Sequence, residues 1–234
     1  MGNENYKEYA KWKGWVYSIP FGSLTSQNRQ KYKLQLDRCK VRYQNINALE
    51  IGFGNGGFLR FMADNNSHAE GVEVQDELIK CALQQGFMAV NRIEDVSNAP
   101  YDLIVAFDVL EHLSIEDLKR FFESASQLLK GDGVMLFRFP NGDSLMGLNS
   151  FNGDYTHLTA IGKSKLQQLV EPYGLWIEAF EGAVIFPMSL AQRFVHRPFQ
   201  YIFRKLLGLP GNYYFSGDVI ALVGKGNAFR MQGN

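Results

Sequence analysis

Apolar positions along the chain fall into two alternating rhythms. Solid runs of strand length, "INALEI", "AEGVEV", "FMAV", "YDLIVAF" and "GVMLFRF", fit strands buried on both faces. Between them lie stretches of helical period: "GGFLRFMADN", "DELIKCALQQG" closing on Gly86, and "SIEDLKRFFESASQLLKGDG". The last has Ser114 as N-cap, Asp117 three residues on in a capping-box-like spacing, and Gly131 as its stop. A basic helix over 27–43 leads into the first strand. A helix over 159–174, "TAIGKSKLQQLVEPYG", follows the fifth, and "LWIEAFEG" and "DVIALVG" supply two last strands. Strands and helices alternating at these lengths predict an α/β doubly wound, mainly parallel sheet covered on both faces.

Composition narrows the class without changing that picture. At 234 residues, 46% hydrophobic and 21% charged, the chain is an ordinary globular one. It reads as one main domain over 45–234 preceded by a helical and aromatic segment, 1–44. No apolar run approaches the roughly 20 residues that span a bilayer, and the polar, aromatic N-terminus lacks the apolar centre of a secretory signal. Cys39 and Cys81 fit neither a disulfide framework nor a zinc spacing. A cytoplasmic protein with two reduced thiols is expected. Net charge is zero but unevenly spread: 1–44 carries 9 Lys/Arg against 3 Asp/Glu, 45–181 carries 9 against 20, and 182–234 carries 6 against 1. An acidic centre between basic ends does not make a nucleic-acid track. It suits a basic rim for one anionic group or an anionic surface, or simply solvated faces in balance.

One joint between strand and helix stands out. In "NALEIGFGNGGFL", residues 47–59, an apolar run carrying Glu50 ends in Gly52, Gly54 and Gly56. Glycines without Cβ atoms let backbone N–H groups approach a ligand. A carboxylate inside a strand is costly unless polar groups meet it. Glu73 closes the second strand, 21 residues after Gly52, where an acid accepts hydrogen bonds from ribose hydroxyls. An acid directly before the glycines suits a ligand with a cationic amino-acid end.

"LEIGFGNGG", "GVEV", "YDLIVAFDVLEHL" at 101–113 and "LLKGDGVMLFRFPN" together resemble the class I S-adenosylmethionine-dependent methyltransferases, over roughly residues 45 to 224. The resemblance implies a Rossmann-like seven-stranded sheet with an antiparallel last strand, and S-adenosyl-L-methionine as cofactor. It implies cofactor contacts from Gly52, Phe53, Gly54, Gly56 and Glu73, with Glu50 supporting the loop. Val74 then packs on the adenine, and Asp108 and Val109 line the methionine side. Relatives often carry an Asp near the adenine amino group, in a "GDAEDL"-like stretch. Here the stretch is "NRIEDV", with Arg92 in that place, which leaves the Ile93 N–H and Glu94 to meet the adenine.

Methyl transfer from a sulfonium is an in-line displacement. The protein aligns the acceptor and, for a hydroxyl, removes its proton. Histidine is the usual base near neutral pH. His112, in "DVLEHL", falls at the mouth of the expected cleft, where it braces the loop or touches cofactor or substrate. The spacing Asp108-x-x-Glu111-His112 is also similar to an acid-x-x-acid-His cluster that holds a divalent metal in some O-methyltransferases; metal is not the favoured reading and no ligand is assigned. His157 lies in "FNGDYTHLTA", a loop this fold turns to the substrate. It is the expected general base, oriented by Asp154; the plainer reading has His157 and Thr159 cap the next helix. His68 reads as surface.

The flanks add a hint of partner. Residues 186–211 are inserted before the last strand and contain no acid. Val195, Phe199, Ile202 and Leu206 recur at helical spacing with Arg193, Arg197, Arg204 and Lys205 largely off that stripe, and Pro198 kinks or restarts the helix. Such a segment caps its own domain or lies on an anionic membrane. The aromatic, lysine-rich N-terminus reads as a lid over the cleft. The "PN…DYTHLT" loop and basic insertion are similar to those of methyltransferases from bacterial surface-polysaccharide pathways. That resemblance implies O-methylation of a sugar or other small hydroxylated acceptor, including lipid- or nucleotide-linked glycans; the enzyme is expected in the cytoplasm, peripheral at the inner membrane surface if the insertion lies on the membrane. Rival readings are an NAD-dependent oxidoreductase or epimerase, which lacks its longer glycine loop and Tyr-x-x-x-Lys apparatus here, and a non-catalytic scaffold on the same fold.

Overall fold

Seven strands hydrogen-bond in the order β3-β2-β1-β4-β5-β7-β6. The computed structural model describes residues 20–183, 201–202, 205–206, 208 and 215–225. The aromatic stretch before residue 20 and most of 186–211, with the lid and kinked helix expected there, lie outside the described residues. In chain order the elements are α1 (Ser26–Arg38), β1 (Asn47–Ile51), α2 (Gly57–Ala63), β2 (His68–Val72), α3 (Asp76–Gln84), β3 (Met88–Val90) and β4 (Tyr101–Phe107). They continue with α4 (Ile115–Leu128), β5 (Leu129–Pro140), α5 (Gly147–Asn152), α6 (Lys163–Val170), β6 (Leu175–Gly182) and β7 (Asp218–Lys225). The first five strands pair in parallel, and β7 runs antiparallel to both β5 and β6. The expected seven-stranded, mostly parallel sheet with an antiparallel last strand is the observed one.

Alternation along each strand divides the core in two. Leu49, Ile104, Phe137 and Ala221 face one layer, with α4 and α6 residues such as Phe122 and Leu166. Ala48, Leu103, Leu136 and Leu222 face the other, with Leu59 and Met62 of α2. The strand order reverses between β1 and β4, so their C-terminal ends splay apart into a crevice, the usual ligand position in such sheets.

Three boundaries differ from the sequence pattern for local reasons. Helix α1 stops at Arg38 rather than near residue 43, because Lys40 takes φ +55°. Lys40 N–H donates to Asp37 O at 3.0 Å and Val41 N–H to Leu36 O at 2.9 Å, a Schellman closure with lysine in the glycine position. Gly131 does not stop α4, since Leu129 is already extended and starts β5, which contains Gly131. Helix α6 starts at Lys163, whose N–H donates to Asp143 Oδ2 at 2.7 Å; Thr159 instead donates its hydroxyl to Leu113 O at 2.7 Å. The short helix α5 is an addition that no periodicity predicted. It lies in an excursion, 142–160, closed at its base by a parallel bridge between Asn141 and Ile161. Ser114 caps α4 as expected, accepting from Asp117 N–H.

Candidate active site

The crevice is a cleft of about 690 Å³ between the ends of β1, β2 and β4 and helix α1. Gly52, Phe53, Gly54, Glu50, Glu73, Val74, Ile93, Asp108, Val109 and His112 all line it. Gly56, Asp154 and His157 do not. Gly52 and Gly54 have φ of +69° and +52°, which side chains rarely adopt. A Cβ at Gly52 would lie 2.5 Å from Val109 Cγ2, so the loop closes against the β4 end only as glycine. Gly56 serves the fold instead. It begins α2 in the left-handed region, and a Cβ there would lie 2.3 Å from the Phe21 ring. Phe53 turns its ring inward, edge-on to Phe21 at 5.9 Å and over Gly71, which leaves its backbone to the cleft.

Two carboxylates support this loop differently. Glu73, just past β2, accepts N–H hydrogen bonds from Gly54 at 3.1 Å, Val74 at 2.8 Å and Gln75 at 3.2 Å. Burial still pushes its carboxyl upward against those bonds. Glu50 is 5% exposed. It takes a backbone hydrogen bond from Leu59, but its Oε2 has no hydrogen-bond partner among the described residues. Burial, with Glu73 nearby, holds its carboxyl well above the usual range. A buried acceptor left without a donor is costly, and a cationic donor from a ligand would answer it.

The opposite wall is built at the ends of β4 and β5. Asp108 has φ +58° and is gripped by Arg138, Nε to Oδ1 at 2.8 Å and Nη2 to Oδ2. The guanidinium lies over the Phe107 ring at 5.2 Å, and Tyr32 of α1 stacks on that ring at 6.0 Å. Burial, then Glu50, pushes the Tyr32 phenol strongly upward. Arg138, Tyr32 and Phe107 were not singled out by the sequence reading. Arg138 had a signal there, a lone charge inside "MLFRFP"; the two aromatics had none beyond an apolar pattern.

The three expected catalytic residues come together, with hydrogen bonds other than those expected. Asp154 Oδ2 lies 4.0 Å from His157 Nε2, beyond hydrogen-bond distance, and His157 Nδ1 donates to Phe151 O at 2.8 Å. Asp154 Oδ1 instead accepts the Thr156 hydroxyl at 2.6 Å and the Thr156 N–H at 3.0 Å. A hydroxyl has one proton, so Thr156 Oγ1, 2.9 Å from His112 Nδ1, accepts from it. Neutral His112 therefore has its proton on Nδ1 and its lone pair on Nε2. Burial raises the Asp154 carboxyl, yet the Thr156 hydrogen bonds and the two imidazoles hold it below its usual value. His157 packs on His112 at 4.6 Å between centroids, its Nε2 3.9 Å from Glu111 Oε1. Donor atoms of Glu111, His112 and His157 lie within 4.8 Å of one another. Asp108, the other acid in that spacing, is committed to Arg138.

Comparison with known proteins agrees with this geometry. The profile of a methyltransferase-domain family matches residues 24–179. An uncharacterized methyltransferase of Bacillus pumilus is 26% identical over 148 residues, 58% of this chain and 67% of that protein. A SAM-dependent methyltransferase of Archaeoglobus fulgidus superposes with a TM-score of 0.62 at 21% identity, covering 83% of this chain and 93% of the other. Magnesium protoporphyrin IX methyltransferase of Synechocystis PCC 6803, solved with bound SAH, superposes with a TM-score of 0.60 at 12% identity over 94% and 95% of the two chains. These two likenesses are of fold.

Proposed function

Because the chain belongs to this methyltransferase-domain family, we propose that it transfers a methyl group from S-adenosyl-L-methionine to a hydroxyl, with His112 as general base. The residues present fit the cofactor. Gly52 and Gly54, at positive φ, turn the loop backbone along the cleft, and Glu50 offers a buried carboxylate oxygen to the cofactor's amino group. Val74 and Ile93 offer the adenine its contacts, and Glu73, fixed by three N–H groups, is the ribose acid. When bound, S-adenosyl-L-methionine supplies the methyl electrophile. Asp108 and Val109 bound the methionine side, and Arg138 holds Asp108 in place.

The observation that carries the reading is the chain Asp154–Thr156–His112, which ends on the cleft wall. Asp154 fixes the Thr156 proton, Thr156 fixes the His112 tautomer, and Nε2 takes the proton from the acceptor hydroxyl as it attacks. The imidazolium so formed keeps its Nδ1–H bond to Thr156 and is stabilised by the Asp154 charge beyond it. An acceptor such as a sugar or other small hydroxylated molecule suits this arrangement, including the glycans of surface-polysaccharide synthesis. His112→Ala is expected to lower kcat by about 10² or more with cofactor Kd unchanged. Thr156→Val should lower kcat by about tenfold while Thr156→Ser retains it. Full turnover in both His112→Ala and Thr156→Val would overturn the base assignment.

A further inference from the structure

The arginines on the cleft wall are already paired. Arg138 grips Asp108, Arg92 stands 3.3 Å from Glu94, and Arg120 stands 3.3 Å from Asp117. An anionic part of a ligand therefore finds no unpaired guanidinium among the described residues that line the cleft. A cofactor with an amino-acid end brings such a part, since the carbon that carries its ammonium also carries a carboxylate. That carboxylate only accepts hydrogen bonds, so it needs donors of another kind.

Donors stand at the start of α1. Ser23, Thr25 and Asn28 line the cleft together with Glu50. Thr25 is the N-cap, and its Oγ1 accepts from Asn28 N–H at 3.1 Å, which leaves its own proton to donate. The first hydrogen bond of the helix runs from Arg29 N–H to Thr25 O at 2.9 Å. The Ser26 and Gln27 N–H groups and the Asn28 side-chain amide have no hydrogen-bond partner among the described residues. No acid lies in this first turn, and the Arg29 side chain is paired with Asp64. A helix of 13 residues with an unanswered N-terminus carries partial positive charge there.

The same segment is fastened beside Glu50. Gly22 N–H donates to Asn55 O at 2.8 Å, and the Phe21 ring packs on Gly56. A Cβ at Gly57 would lie 3.4 Å from Tyr32 Oη and 3.7 Å from Ser23 O, so α1 and its lead-in sit against the first turn of α2. Leu59 of that turn donates its N–H to Glu50, whose Oε2 is the buried, unpartnered acceptor of the cleft. Unanswered donors thus stand next to an unanswered acceptor.

We infer that the first turn of α1, residues 25–28, is a carboxylate subsite that works with Glu50 to clamp the zwitterionic amino-acid end of the cofactor. The inference rests on the cofactor reading above and adds to it what α1 recognises: its N–H and hydroxyl donors take the carboxylate while Glu50 takes the ammonium.

Calorimetry with two probes tests it, S-adenosyl-L-methionine and its decarboxylated form, which keeps the sulfonium, the adenosine and the amine. The parent is expected to bind the first about tenfold more tightly or better. Asn28→Asp sets a negative charge on the subsite and should raise the Kd of S-adenosyl-L-methionine about tenfold, while the decarboxylated form binds no more weakly than to the parent. Its melting temperature should not fall, because an acid three residues after a threonine cap stabilises a helix start. Glu50→Gln should weaken both probes, since both carry the amine. Equal affinity of the parent for the two probes would overturn the subsite, as would an Asn28→Asp variant that weakens both alike or neither. Failure of the parent to bind either probe would overturn the cofactor assignment itself, and the subsite with it.

Discussion

Single residues set the cleft, and the informative ones differ in how visible they are in the sequence. Glu50 and Glu73 are conspicuous, because a charge at the centre or end of an apolar run needs a partner. Gly52 and Gly56 look alike in sequence, yet one closes the cleft loop against Val109 and the other packs on Phe21. Only the fold separates those uses. Thr156 was beyond reach for another reason: its partner His112 lies 44 residues away in the chain. Gly52→Ala should weaken S-adenosyl-L-methionine binding by about tenfold or more, from a left-handed φ and a Cβ 2.5 Å from Val109 Cγ2. Adding Val109→Ala should restore part of the loss in calorimetry. No recovery would show that φ alone is at issue.

At the scale of elements, local pattern was a good guide wherever a strand or helix ends by its own chemistry. The strands at 101–107 and 175–182 and the Ser114 cap of α4 were legible for that reason. Ends set by backbone conformation were not. Lysine at position 40 conceals the left-handed closure of α1, since such a closure is usually announced by glycine. Lys40→Gly is accordingly expected to raise stability by about 0.5 kcal/mol in chemical denaturation, the relief of strain exceeding the added freedom of the unfolded chain. A loss of stability would mean that the Lys40 side chain contributes contacts of its own.

The whole molecule carries an electrostatic consequence of its buried acids. Burial raises the carboxyls of Glu50, Glu73 and Glu111 above their ordinary 4.5, Glu50 and Glu111 by a wide margin. The folded chain therefore keeps protons that the unfolded chain releases. Their contribution is fully present below about pH 4.5, and it drains away as pH rises through the folded values. Melting temperature measured without ligand should fall along that window, and Glu111→Gln should flatten the fall. An unchanged slope would place the Glu111 carboxyl in the ordinary range. The charge map, by contrast, was readable from the start, because an acidic centre between basic ends is a property of the chain before it folds.

The Asn141–Ile161 bridge ties the two ends of the 142–160 excursion, which bears the exposed Leu145, Met146 and Leu148 at one place and Thr156 at another. Leu158 and Thr159 also donate N–H groups to Glu111 O at 2.7 and 3.1 Å, and a loop held at a few shared points opens as one foldon, with one shared opening free energy. The grip on the His112 tautomer and the placement of Leu145, Met146 and Leu148 are then two readings of a single local melting equilibrium.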